Sequence, residues 1–396
     1  MAPFATLDRV VRRSERQFDC IVVGVGTVGA ATVASLARRG RRVLGIDAAS
    51  VPNARSSHHG HSRVFRACYF EHPSYMPLLL EAIESWRALE SAAGADLLDL
   101  CGGLYLGRPD GDLVHGSTRA AESHGLAFER WSAHEVRSRF PQFTIPDDFE
   151  GFWEPTAGMV YAERAIEAAA RVARENGAMI RERERVEHWT VDASDGVQVR
   201  TSNSTYRAEQ IVLCPGAWAG RLLGDRHARL TVTRQTVVWV DPINLTAFQR
   251  GRFPVWGLER PDTSEIHYGV PMTADQPGLK LALHAPGVAA DPNTMERELR
   301  SDDEAHWERA ISDYLPSAAG PLVDSTVCMY TNTPDSHFIL GPHPDHADGR
   351  VYLGAGLSGH GFKFMPVLGE ALADLVIHGH SRLPIEFLSL KRFGAP

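Results

Sequence analysis

The stretch Gly24-Val25-Gly26-Thr27-Val28-Gly29 lies between an apolar run at 18–23 and a helix-forming segment at 28–39 that Gly40 closes; a second apolar run, 42–46, ends at Asp47. This spacing predicts a strand, a tight turn, a helix and a second, parallel strand. Gly24 permits the turn, Gly26 lets backbone N–H groups approach a pyrophosphate, and Gly29 lets the helix pack closely on the strand, while Thr27 and Val28 open that helix. The acidic Asp47 follows at the distance the dinucleotide fingerprint requires. Its carboxylate suits ribose hydroxyls and disfavours a 2′-phosphate. The fingerprint alone leaves NAD and FAD open.

With 396 residues, 43% of them apolar, the chain is long enough for two lobes. Its 41 basic and 49 acidic residues give a formal charge of −8, which offers no electrostatic support for a nucleic-acid partner. Cys20, Cys68, Cys101, Cys214 and Cys328 are scattered and form no Cys-x-x-Cys, which argues against a disulfide framework or a zinc site and for a reducing, cytoplasmic compartment. The basic leader (Arg9, Arg12, Arg13, Arg16) precedes too short an apolar run for a signal peptide or membrane span, so residues 1–17 read as an extension.

Helical spacing recurs at 75–89 and 162–175, alternation at 185–207 suggests paired strands, and 210–214 runs into Pro215-Gly216-Ala217-Trp218, a turn suited to a backbone near a ligand. These readings predict an α/β fold: a discontinuous Rossmann-type lobe (18–95, 158–224, 323–396), with a substrate lobe on a mixed, largely antiparallel sheet (96–157, 225–322) interleaved in it.

Three segments carry chemistry. In the loop at 57–66, Ser57-His58-His59-Gly60-His61-Ser62-Arg63-Val64-Phe65-Arg66, the histidines lack metal-ligand spacing, and no metal is expected; Arg63 and Arg66 share a face if the segment is helical, where guanidinium suits a carboxylate. Residues 278–284 alternate as a strand with Lys280, Ala282 and His284 on one face, either a solvated surface or a basic pair facing a cofactor. Gly359-His360-Gly361-Phe362-Lys363, just after Gly356, is a second Gly-rich backbone ending in a cation. Cys328 reads by composition as a buried small hydrophobe.

Together these residues resemble the monomeric sarcosine oxidase and N-methyltryptophan oxidase group of the D-amino-acid-oxidase-like flavoproteins. The likeness spans 18–47, 57–66, 268–271, 278–284, 328–338 and 357–370, in order, and selects FAD. It implies covalent FAD, attached through its 8α-methyl carbon to Cys328; a substrate carboxylate held by Arg66 and Lys363; Lys280 beside the flavin promoting reaction with oxygen; Tyr268, His284 and Tyr330 shaping the substrate site; and His58, Ser62 and Arg63 close to the flavin. The implied reaction oxidises a secondary amine such as sarcosine to an imine, which hydrolyses to formaldehyde and the amino acid while O2 becomes H2O2, in a monomeric enzyme. Alternatives are a cyclic imino acid oxidase (proline or pipecolate type), an amine dehydrogenase with another acceptor, or a flavin-binding subunit without catalysis. Departures from the group's pattern, His61-Ser62 for Asp-Thr and Cys68-Tyr69-Phe70-Glu71-His72-Pro73 for a Gly-containing turn, fall near the loops expected to set the substrate side chain.

Overall fold

The computed structural model describes residues 17–192, 196–223, 230–263, 265–346 and 348–394. The expected extension at 1–17 lies outside them but for Gln17. In the first sheet Met179–Arg181, Val43–Ile46, Gln17–Val23, Thr205–Leu213 and Val351–Ala355 are parallel neighbours in that order, and Val43–Ile46 and Val351–Ala355 are apolar and buried along their whole length, as strands covered on both faces are. The alternating segment is the expected meander, Val186–Asp192 and Gly196–Thr201, which pairs antiparallel onto Thr205–Leu213. Helices Thr27–Arg38, Ala162–Glu175 and Met365–His378 bury their small and apolar residues in one common core with Met76–Ala93.

A second, largely antiparallel sheet holds Thr231–Val240, Leu279–His284, Ile266–Val270, Val255–Glu259, Gly103–Gly107 and Glu150–Glu154 in that order, with one parallel pair, Val255–Glu259 on Gly103–Gly107. Alternation divides its faces. Leu104, Trp256, Leu258, Leu279 and Leu281 share a core with Ile311 of the helix Ser301–Tyr314. The opposite face carries Val237, Trp239, Ala282, Cys328 and Tyr268, packed together.

The strand Leu322–Asn332 pairs along its length with Thr231–Val240, so a lobe boundary at 323 cuts it from its partners; its backbone hydrogen bonds place it in the second sheet. The segment after His61 is a strand, Ser62–Phe65, antiparallel to Gly158–Tyr161, and no helix brings Arg63 and Arg66 to one face. Among the described residues no helix is long and apolar enough to cross a membrane, and no cluster of His, Cys, Asp or Glu is arranged to hold a metal ion.

Candidate active site

The glycine turn lies at the carboxyl ends of adjacent parallel strands, where ligands bind in open α/β sheets. Gly24 has φ +86°, and a Cβ on it would lie 2.2 Å from the carbonyl oxygen of Cys214. A Cβ on Gly29 would lie 1.8 Å from the Gly24 oxygen, so helix and turn meet with no room for a side chain. The helix Thr27–Arg38 starts at Gly26 with no side-chain cap, leaving its first N–H groups to whatever occupies the cradle. Asp47 accepts from the backbone N–H groups of Val25 (2.8 Å) and Ala49 (2.9 Å), which makes it a brace of the turn as well as an acceptor. Gly216 and Trp218 form a short turn after Thr205–Leu213, and the Trp218 indole N–H donates to Asn293 (3.0 Å). Gly356 follows Val351–Ala355 with φ +60°.

The loop before Ser62 is pinned from the second sheet. Lys280, 1% exposed, donates through Nζ to the carbonyls of Gly60 (2.8 Å) and Ser62. Burial, and then Arg63, hold its ammonium well below the usual lysine range. Lys280 is thus no solvated surface residue. Arg63 donates to the carbonyls of Ser57, His59 and Ser62, and its Nη2 lies 3.7 Å from the Cys328 sulfur. That thiol donates to the carbonyl of His59 at 3.0 Å. His58, buried beside Gly26, is pushed down to about 4 by burial and stays neutral. The buried Ser62 hydroxyl donates to Gln276 at 3.0 Å, and His61, at φ +63°, sits edge-on to Trp239.

Beyond Arg63 opens a pocket of about 710 Å³, mouth included. It brings together Arg66, Tyr268, His284, Tyr330, Gly359, His360, Phe362 and Lys363. Arg66, 8% exposed, stacks over Tyr69 and Phe70 and pairs with the Glu71 carboxylate. Burial opposes ionisation of Glu71, but Arg66 and then Lys363 outweigh it and keep the carboxyl below its usual range. Lys363, 5% exposed, donates to the His360 carbonyl (2.8 Å); burial and then Arg66 push it down to about 7. Trp86 fixes that turn by donating to the Lys363 carbonyl (2.8 Å). His360 bonds through Nδ1 to the Tyr69 hydroxyl and through Nε2 to the Ser336 carbonyl, and burial pushes it down to about 3. His284, pushed down to about 4 by burial, is neutral and lies 3.2 Å from the Tyr330 hydroxyl. A Cβ on Gly359 would lie 2.5 Å from the Tyr330 ring, and one on Gly361 2.7 Å from Leu357, so both glycines admit side chains packed against the turn.

Residues 19–375 match the FAD dependent oxidoreductase family. The chain belongs to that family. It is 37% identical over 381 residues to monomeric sarcosine oxidase of Streptomyces avermitilis, covering 96% of this chain and 98% of that protein. It is 31% identical over 382 residues to N-methyl-L-tryptophan oxidase of Yersinia pestis, covering 95% and 99%. Among solved structures, NikD, an unusual amino acid oxidase essential for nikkomycin biosynthesis, superposes with a TM-score of 0.82 at 27% identity, covering 94% of this chain and 97% of that one.

The site fits the cofactor of this FAD-dependent oxidoreductase. The side-chain-free cradle, the uncapped helix start and the buried Lys280 and Arg63, bonded mainly to backbone carbonyls, suit an anionic dinucleotide with an electron-accepting ring. Several supporting acids were missed by sequence reasoning. Glu71 faces Arg66, Glu154 caps the backbone of Ala67 and Cys68, and Glu163 accepts from Gly60 (2.7 Å) and lies 3.0 Å from His59. Glu163 begins the helix 162–175, where an acid looks like ordinary dipole compensation. Glu154 ends the strand Glu150–Glu154 after Phe152 and Trp153, and an acid at the end of such a run is the local signal for it.

Proposed function

We propose that this oxidoreductase oxidises a secondary amino acid of the N-methyl type to its imine and passes the electrons to O2. The observation that carries the reading is the charge at one end of the pocket: Arg66 and Lys363 are both buried, Arg66 pairs with Glu71 and Lys363 acts on the same carboxylate, and among the described residues Glu71 is the only carboxylate lining it. A substrate carboxylate completes that pairing with charge-assisted hydrogen bonds. Two relatives, named for sarcosine and N-methyl-L-tryptophan, support an N-methyl amine. For such a substrate the overall reaction is R–NH–CH3 + O2 + H2O → R–NH2 + HCHO + H2O2.

FAD, when bound, supplies a two-electron acceptor. Its holders are the cradle Gly24–Gly29, Asp47, the loop at 57–63, the 356–363 turn and, as its covalent attachment point, Cys328. Arg66 and Lys363 orient the carboxylate, while neutral His284 with Tyr330 and Tyr268 walls the amine nitrogen without a competing positive charge. Lys280, held at Nζ by the carbonyls of Gly60 and Ser62, places its N–H donors and charge where negative charge develops on oxygen. The five free cysteines support a cytoplasmic setting, and we take the enzyme to be a monomer, which gel filtration checks. The reading assigns the first sheet to a dinucleotide lobe and the second, with Leu322–Asn332, to a substrate lobe.

The test is peroxide release by the purified yellow protein over sarcosine, other N-methyl amino acids, cyclic imino acids and primary amino acids. Peroxide from secondary amines is expected. Anaerobic bleaching without peroxide would replace O2 by another acceptor, and no bleaching by any secondary amine would sink the reading.

A further inference from the structure

The pocket has two chemically distinct halves. Arg66, Glu71 and Lys363 line one; Phe70, Tyr105, Leu113, Gly257 and Ile266 line the other. Alternation on three adjacent strands builds the second half. Gly257 is paired with Tyr105 on one side and Tyr268 on the other, while Ile266 projects from the same face two residues from Tyr268. Gly257 forms its floor: a Cβ there would lie 3.3 Å from Tyr105, 3.4 Å from Ile266 and 3.6 Å from Leu113. Its φ lies outside the left-handed region, so no backbone strain calls for glycine here; a Cβ would press closely on Tyr105 where the residue lines the cavity. Phe70 forms the wall that joins the halves. Its ring lies under the Arg66 guanidinium (4.4 Å), and its Cβ is seated against Gly116, where an added Cβ would come within 2.6 Å.

We propose that this apolar half is a side-chain subsite, and that the preferred substrate is an N-methyl amino acid with a branched aliphatic or aromatic side chain. The inference rests on the secondary-amine reading above and names its substrate class. Sarcosine, which has no side chain, leaves these apolar walls against water. A larger apolar group removes that surface from water while its carboxylate stays at Arg66. Phe70, touching Arg66 and the cavity together, sets the register between the two ends.

The test measures kcat/KM by peroxide release, with anaerobic flavin reduction alongside, for sarcosine, N-methyl-L-leucine, N-methyl-L-phenylalanine and proline. N-methyl-L-leucine or N-methyl-L-phenylalanine is expected to exceed sarcosine by about tenfold or more. Ratios then isolate the subsite. Gly257→Val fills the floor and should lower the N-methylleucine-to-sarcosine ratio about tenfold; Ile266→Ala widens it and should shift preference toward N-methylphenylalanine. Opposite shifts in two folded variants support the subsite, since a general structural loss lowers all substrates together. Sarcosine or proline as the best substrate, or unchanged ratios in both variants, overturns the subsite and leaves the amine oxidase reading standing. No flavin reduction by any secondary amine overturns both.

Discussion

At the residue scale, the site is governed by a few groups held in protonation states that water would not give them. Lys363 is the clearest case. With its value near 7, it is an ammonium below that pH and loses the proton as pH rises through it, whereas Glu71, held low, stays ionised. The KM for carboxylate substrates should therefore rise from about pH 6 to about pH 9, by roughly tenfold for one lost charge-assisted bond, and Lys363→Met should remove that limb. Steady-state KM against pH at constant ionic strength checks this. Lys280→Met should slow flavin reoxidation by about a hundredfold or more and leave anaerobic reduction nearly unchanged, as stopped-flow on the two half-reactions would show. Cys328→Ala should release its flavin on acid denaturation; flavin that stayed with the polypeptide would remove Cys328 as the attachment point. The residue types were legible in the sequence, but the environments that tune them were not. Nothing local to Lys280 distinguishes a strand's wet face from one closed by a loop more than 200 residues earlier.

At the scale of elements, the βαβ unit was legible because its signals are local: an apolar run, glycines, a helix and an acid in fixed order. The close approach at Gly29 makes a sharp prediction. Gly29→Ala places a methyl group against the Gly24 carbonyl, so the helix must move off the strand. The variant should lose about 1–3 kcal/mol of stability and much of its bound flavin, read by thermal unfolding and by the flavin-to-protein absorbance ratio. The Arg63–Arg66 segment shows what local reading left open. Its residues read as a polar loop, with the two arginines on one face only if it were helical, and pairing with Gly158–Tyr161, nearly 100 residues on, makes Ser62–Phe65 a strand. Long-range hydrogen bonds decide the conformation there.

At the scale of the whole molecule, the site exists because the two sheets hold each other's loops. Glu154, from the second sheet, accepts from the N–H groups of Ala67 (2.6 Å) and Cys68 (3.2 Å), directly after Arg66. Glu154→Ala leaves two buried donors unpaired; it should cost roughly 2–4 kcal/mol in denaturant unfolding and raise the KM for carboxylate substrates as Arg66 loses its support. Rescue of KM by Glu154→Gln, which keeps one acceptor, would separate positioning from charge. The sequence by itself determined the dinucleotide unit, the FAD-type chemistry implied by its separated motifs, and the identities of the cations and the cysteine, since each depends on residue type and short-range order. Only the tertiary structure decided that Cys328 lies in the second sheet, that Lys280 is buried against Gly60 and Ser62, that Glu71 occupies Arg66, and that Phe70 and Gly257 shape an apolar recess. Those facts depend on contacts between segments far apart in the chain, whose distance and burial no local pattern encodes.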